Sequence, residues 1–223
     1  MNTAGSGAIL LFNKPYGWSS FDVIRKIRPF LNSRKAGHAG TLDPLATGLL
    51  VVCTEKFTKK INMIQALEKE YTGTFFLGAE TPSFDMETPV SQTFGISHIT
   101  EEMIRKAAGR LCGKIKQIPP LHSAKKINGE RAYKKARRGE TLVLEPKEVT
   151  ISEFEITGVN LPSVDFRVIC SSGTYIRSLA HDLGKLLDNG AYLTSLCRTR
   201  IGNYLLKNAM EVENFAKSDK KEA

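Results

Sequence analysis

Apolar positions fall into short runs and helical stripes that alternate along the chain. The run Ala8-Ile-Leu-Leu-Phe12 predicts a first strand. Asn13-Lys-Pro-x-Gly17 then marks a turn, after which Ser19 or Ser20 can cap a helix. Its apolar stripe is Phe21, Ile24, Ile27 and Leu31, and Arg25, Lys26 and Arg28 occupy the opposite face. Leu49-Leu-Val-Val-Cys53 is apolar throughout and predicts a buried strand. Helical spacing predicts a helix over residues 56–67, followed by a strand from Tyr71 to Leu77. Thr100 is placed to cap a helix with Met103, Ile104, Ala107, Ala108 and Leu111 on one face. Pro119-Pro120 stops the segment before it, the stretches 142–157 and 164–170 alternate as strands, and residues 175–187 return to helical spacing. Strands and helices interleave without the rhythm of βαβ units. An α+β fold around a mixed, largely antiparallel central sheet flanked by helices is expected.

Composition narrows the partners. At 223 residues the chain can bury a sizeable core, and 41% hydrophobic with 25% charged residues is ordinary for a globular protein. The net charge of +9 is not ordinary, and favours a polyanion, nucleic acid ahead of a membrane surface. No apolar run approaches the roughly 18 residues needed to span a bilayer. The N-terminal segment lacks a basic stretch before its apolar run, so a signal peptide is not expected and the cytoplasm is. Cys53, Cys112, Cys170 and Cys197 are scattered, and neither C-x-x-C nor H-E-x-x-H occurs, so neither disulfides nor a zinc site is expected. His181-Asp182 superficially resembles a metal-binding pair but has no second ligand cluster, and reads as structural.

Chemistry concentrates in Gly37-His-Ala-Gly-Thr-Leu-Asp-Pro-Leu-Ala-Thr-Gly-Leu-Leu50. One carboxylate, Asp43, sits between three glycines that let the backbone turn and approach a ligand closely. Pro44 fixes its own φ and biases Asp43 toward extended geometry. A second string, Cys170-Ser-Ser-Gly-Thr-Tyr-Ile-Arg177, puts Arg177 in the first turn of a helix that Thr174 is placed to cap. A cation there opposes the helix dipole, so an anionic partner explains it better than helix stability does. A third signal is Lys69-Glu-Tyr71 at the start of a strand. A fourth is the segment from Lys125 to Arg138, with seven basic residues against one acid and Tyr133 interleaved.

Several ordered strings together resemble the TruB family of tRNA pseudouridine synthases, over roughly residues 10–203. They include the Asp43 motif, Asn13-Lys-Pro-x-Gly17-x-Ser19-Ser20, Lys69-Glu-Tyr71, the segment Gly78–Asp85 and the Arg177 motif. They continue in Pro119-Pro-x-x-Ser123-Ala-x-Lys126-x-x-Gly129, Ala136-Arg-x-Gly139 and the stretch from Gly190 to Gly202. The resemblance implies a pseudouridine synthase fold in one catalytic domain, residues 1–216, with a basic RNA-binding insertion loop at about 117–147 and a polar tail from 217 to 223. Asp43 would be the nucleophile and Arg177 the cation paired with it, keeping the carboxylate ionised. Tyr71 would stack on the uracil and offer its phenol near the departing proton. Lys14 would lie near the active-site loop, Leu196 would line the uracil pocket, and His38 would fill the space the flipped base leaves. Lys125, Lys126, Arg131, Tyr133, Lys134, Lys135, Arg137 and Arg138 would grip the T arm of tRNA.

The implied reaction converts the T-loop uridine 55 of tRNA to pseudouridine, by a monomer without metal or organic cofactor. Many family members continue into a C-terminal PUA domain, which is expected to be missing here. Two rival functions use the same residues differently. A nucleic-acid glycosylase would employ the carboxylate and release free base, whereas a non-catalytic RNA-binding or folding module would need only the basic loop.

Overall fold

The computed structural model describes residues 7–31, 33, 35–121, 126–127, 130–131, 138 and 144–218, of which 126–127, 130–131 and 216–218 by backbone alone. In chain order the strands are β1 (Ile9–Lys14), β2 (Ala36–His38), β3 (Thr47–Thr54), β4 (Lys69–Leu77), β5 (Ala79–Glu80), β6 (Gln92–Thr93) and β7 (Gly113–Gln117). They continue as β8 (Lys126–Ile127), β9 (Glu130–Arg131), β10 (Lys147–Asn160), β11 (Ser163–Cys170), β12 (Ala191–Ile201), β13 (Tyr204–Leu205) and β14 (Met210–Glu211). The α-helices are α1 (Ser20–Ile27), α2 (Ile61–Ala66), α3 (Glu101–Arg110), α4 (Ile176–Leu186) and α5 (Val212–Ser218). Two compact units result, residues 1–72 with 196–223, and residues 73–195.

In the first unit the sheet runs β14-β1-β3-β12, with β1 antiparallel to β3 and parallel to β14, and β3 parallel to β12. Leu50 and Val52 of β3 pack with Phe12 and with Val23, Ile24 and Ile27 of α1. Leu49, Val51 and Cys53 point the other way, into a cluster with Ala39, Ile64 and Ile201. Both faces of β3 are therefore covered, which is why its sequence is apolar throughout rather than alternating. Each such aliphatic side chain contributes about 1.5–3 kcal/mol by burial. The strand is a firm mount for whatever loop enters it.

The helix after β1 shows how a polar contact overrides an apolar one. Ser19 is the N-cap, with a complete capping box to Asp22. Its buried positions are Ser20, Val23, Ile24 and Ile27, while Phe21 is 63% exposed, contrary to the stripe read from the sequence. Ser20 takes the inward position because its hydroxyl accepts from Leu42 N at 2.8 Å and donates to Leu42 O at 3.2 Å. Phe21, the next residue around the helix, is turned out.

The second unit orders its strands β4-β11-β10-β7, with β10 antiparallel to both β11 and β7. Phe75 stacks on Phe166 at 4.0 Å between ring centroids, and Phe154 meets both edge-on. Thr100 caps α3 through Met103 N as expected, but Met103 itself is exposed and the buried face is Ile104, Ala107, Ala108 and Leu111. The helix expected over 56–67 is a 3₁₀ segment, Glu55–Lys60, followed by the short α2. The Thr58 hydroxyl donates to Glu55 O at 2.7 Å, a local bond of the kind that competes with α-helical pairing. Thr174 does not cap α4. Its hydroxyl donates to Ser171 O, and the cap residue is Tyr175. Gln117 at the end of β7 clamps that start, accepting from Tyr175 N at 2.7 Å and donating to Tyr175 O at 3.1 Å.

Candidate active site

Asp43 begins a β-turn in which Ala46 N donates to Asp43 O at 3.1 Å. Asp at the first turn position and Pro44 at the second are the residues this turn favours. The carboxylate-bearing residue is half-buried. The turn lies between β2 and β3, and four separate ties hold the segment around it. Ser20 clips Leu42 on both sides of its peptide unit. Gly17 N donates to Pro44 O at 2.9 Å. Lys14 Nζ donates to Trp18 O at 2.5 Å, Pro15 O at 3.0 Å and Pro44 O at 3.3 Å.

The fourth tie comes from Arg198 on β12, a side chain 1% exposed. Its Nε donates to Leu49 O at 2.9 Å, Nη2 to Gly40 O at 3.0 Å and Nη1 to Thr41 O at 3.5 Å. One guanidinium thus joins the strand β3 to the two residues that lead into Leu42 and Asp43. Gly48 makes this approach possible. It has φ +100°, and a Cβ there would lie 2.4 Å from Arg198 O. Sequence reasoning missed Arg198. An Arg in an alternating strand reads as solvent-facing, and its partners are backbone carbonyls at least 149 residues away.

Electrostatics around the turn are cationic. Lys14 is fully buried, and burial lowers its pKa to about 8, opposed by the nearby Asp43 carboxylate, which favours the ammonium. Arg198 adds a smaller downward push. His38, opposite Val52 on β2, is half-buried. Its pKa is lowered by burial first and by the Arg198 charge second, so its imidazole is neutral at pH 7. Tyr71 is a buried residue of β4 and Leu196 a half-buried residue of β12. The first unit thus brings Lys14 and His38 into the electrostatic surroundings of the Asp43 turn.

Arg177 lies in the first turn of α4, in the second unit, and is buried. Its anionic neighbour there is Asp85, with Nε 3.6 Å from Oδ2, and Nη1 donates to Ser83 O at 3.1 Å. The turn carrying Asp85 is itself braced. Thr81 and Ser83 hydroxyls donate to Asp85 O, and Glu87 N donates to Asp85 Oδ1. Sequence reasoning missed Asp85, although an acid closing the segment from Gly78 was the available signal. Phe84 stacks on His181 at 4.1 Å, which gives that histidine a packing role. Among the described residues no group of three or more His, Cys, Asp or Glu side chains is placed to hold a metal. Of the basic insertion loop, Arg138 is exposed, and the backbones of Lys126 and Arg131 are paired between β8 and β9. Lys125, Tyr133, Lys134, Lys135 and Arg137 lie outside the described residues.

A family model described as TruB family pseudouridylate synthase (N terminal domain) matches residues 28–176. A tRNA pseudouridine synthase B of Flavobacterium johnsoniae is 52% identical over 219 residues, covering 95% of this chain and 96% of its own. The protein of the same name from Thermobifida fusca is 44% identical, over 93% of this chain and 74% of its own. Among solved structures, a chain of an archaeal box H/ACA sRNP Nop10–Cbf5 complex superposes with a TM-score of 0.70 at 26% identity. That match covers 96% of this chain, which spans just over half (54%) of the other's length. By fold and sequence the class is pseudouridylate synthase. Within that class, the chain belongs to the TruB family.

Proposed function

We propose that this protein isomerises a uridine of tRNA to pseudouridine, at position 55 in the T loop. The N1–C1′ glycosidic bond breaks, the uracil rotates, a C5–C1′ bond forms, the C5 proton leaves and N1 takes up a proton. The product has the same atoms as the substrate, so no oxidant or energy source enters. Asp43 acts as the nucleophile, on uracil or on ribose. Arg177, anchored on Asp85 and Ser83 O, supplies the cation that keeps the nucleophile ionised. Tyr71 stacks on the base and handles the C5 proton, and Leu196 lines the pocket. The target leaves its stack at a cost of a few kcal/mol, and His38, neutral and compact, fills the vacated space.

The observation that carries this reading is the immobilised turn presenting Asp43. Four ties, from Lys14, Gly17, Ser20 and Arg198, spend two buried cations on backbone carbonyls around one half-buried carboxylate. Such investment suits a reacting group whose position must be fixed. The relatives named tRNA pseudouridine synthase B support the substrate class, matching nearly the whole chain. The basic insertion loop, including Lys125, Lys126, Arg131 and Arg138, grips the T arm, and the protein works as a cytoplasmic monomer. Tritium release from tRNA labelled at uracil C5, with a search for free uracil, tests the proposal. Tritium release without free uracil is expected. Free uracil with an abasic site means a glycosylase, and neither product means a binding module.

A further inference from the structure

Around α1 the first unit carries a surface to which none of these roles assigns a contact with RNA. An open cleft of about 650 Å³ is lined by Gly17, Trp18, Asp22, Arg25, Lys26 and Phe30, among others. Arg25, Lys26 and the neighbouring Arg28 are exposed. The one acid is engaged: Asp22 accepts from Ser19 N, Ser19 Oγ and Arg25 Nη2. Beside the cleft in sequence, Tyr16 is 57% exposed and Phe21 63%. Cations alone on a helix face are commonplace. Cations around a cleft lined by the half-buried rings of Trp18 and Phe30 match a nucleotide, which offers a phosphate and a flat base together.

The cleft is also tied to the Asp43 turn. Gly17, part of its lining, donates to the carbonyl of Pro44, the residue after Asp43. The cleft therefore adjoins the turn that carries Asp43. Resting on the function proposed above, we propose that the cleft binds the RNA segment flanking the target uridine. Arg25, Lys26 and Arg28 take its phosphates, and Trp18 and Phe30 take a neighbouring base.

Trp18 is the single tryptophan of the chain and lines the cleft, so all tryptophan emission originates there. Three proteins are compared on unmodified tRNA: wild type, Arg25→Gln/Lys26→Gln/Arg28→Gln, and a charge-matched control, Lys56→Gln/Lys59→Gln/Lys60→Gln, whose lysines are exposed elsewhere in the same unit. The cleft triple keeps the Ser19–Asp22 capping box, so α1 remains capped. Wild-type emission should change and saturate with RNA. The cleft triple should bind about tenfold or more weakly near 0.1 M salt and lose about 2 from the slope of log Kd against log salt, at roughly 0.7 per phosphate contact. The control should keep the wild-type slope. Single-turnover tritium release should agree within twofold for wild type and the control. Unchanged Trp18 emission, or equal slopes for the two triples, overturns the cleft proposal while leaving a tritium-releasing wild type as a synthase. A wild type that binds tRNA and releases no tritium overturns the functional reading, and this one with it.

Discussion

Replacing Arg198 by Met removes the guanidinium that joins β3 to the approach to Asp43 while keeping a long apolar stem. Two well-formed bonds disappear, to Leu49 O at 2.9 Å and Gly40 O at 3.0 Å; the contact with Thr41 O, at 3.5 Å, is too long to weigh much. Leaving a buried acceptor without its donor costs about 1–3 kcal/mol. Relief from burying a charge offsets part of the loss. A net destabilisation of about 2–4 kcal/mol follows, which lowers Tm by roughly 5–15 °C for a domain of this size. Catalysis should suffer beyond that. Gly40 and Thr41 lead into the Asp43 turn, and a displacement of about 1 Å at a reacting group costs on the order of a hundredfold. Single-turnover tritium release at 20 °C, with both proteins shown to be folded by circular dichroism, should therefore fall about a hundredfold with tRNA affinity nearly unchanged. Phe166→Ala is the control, because it opens a cavity in the stacked Phe75–Phe166 core of the other unit at a cost of about 3–5 kcal/mol. If Arg198→Met loses stability like that control and keeps its single-turnover rate within twofold, Arg198 does not govern the position of Asp43.

Arg198 also marks where the sequence stops being legible. The turn at Asp43 was legible because its signals are local: Pro44 fixes a torsion, and Gly40 and Gly48 occupy φ of +101° and +100°. The strand after it was visible because both its faces are buried, which leaves a continuous apolar string. Arg198 and Gln117 carry no such signature. Both are buried polar residues satisfied by backbone groups far away in sequence, Arg198 by Leu49 and Gly40, Gln117 by Tyr175. Nothing within a few residues of either betrays those partners. The inward face of α1 was misjudged for a related reason. A hydrogen bond between Ser20 and Leu42, across 22 residues, set the helix's rotation and exposed Phe21. Thr174, a good cap by type, was occupied by Ser171 O instead.

Three further outcomes are expected. Burial lowers the Lys14 pKa from its ordinary 10.5 to about 8, so the unfolded chain holds that proton more tightly. This group's contribution to stability therefore rises between about pH 8 and 10.5, while single-turnover rate falls through about pH 8 as the ammonium tie to Pro44 O weakens; a flat wild-type rate profile from pH 6.5 to 9.5 contradicts this. Asp182 is raised by burial from 3.8 to about 6, so its ionised form costs up to about 3 kcal/mol at pH 7 and nothing below about pH 3.8. Asp182→Asn should raise stability in urea melts by about 2 kcal/mol at pH 7, with the gain fading between pH 6 and 4, and a destabilised variant at pH 7 would refute the assignment. Tyr71→Phe keeps the ring and deletes the hydroxyl, so kcat should drop about a hundredfold or more with Kd for tRNA within threefold; full activity dismisses the proton-handling role.

Nucleoside analysis of unmodified tRNA after a single turnover, with wild type and with Asp43→Asn at saturating enzyme, tests whether Asp43 on its immobilised turn is the nucleophile. Wild type should leave one pseudouridine per tRNA, at position 55. The variant should leave none, although tRNA binding should remain nearly intact because only one carboxylate has changed. Pseudouridine from the variant at even a few per cent of the wild-type rate would rule Asp43 out.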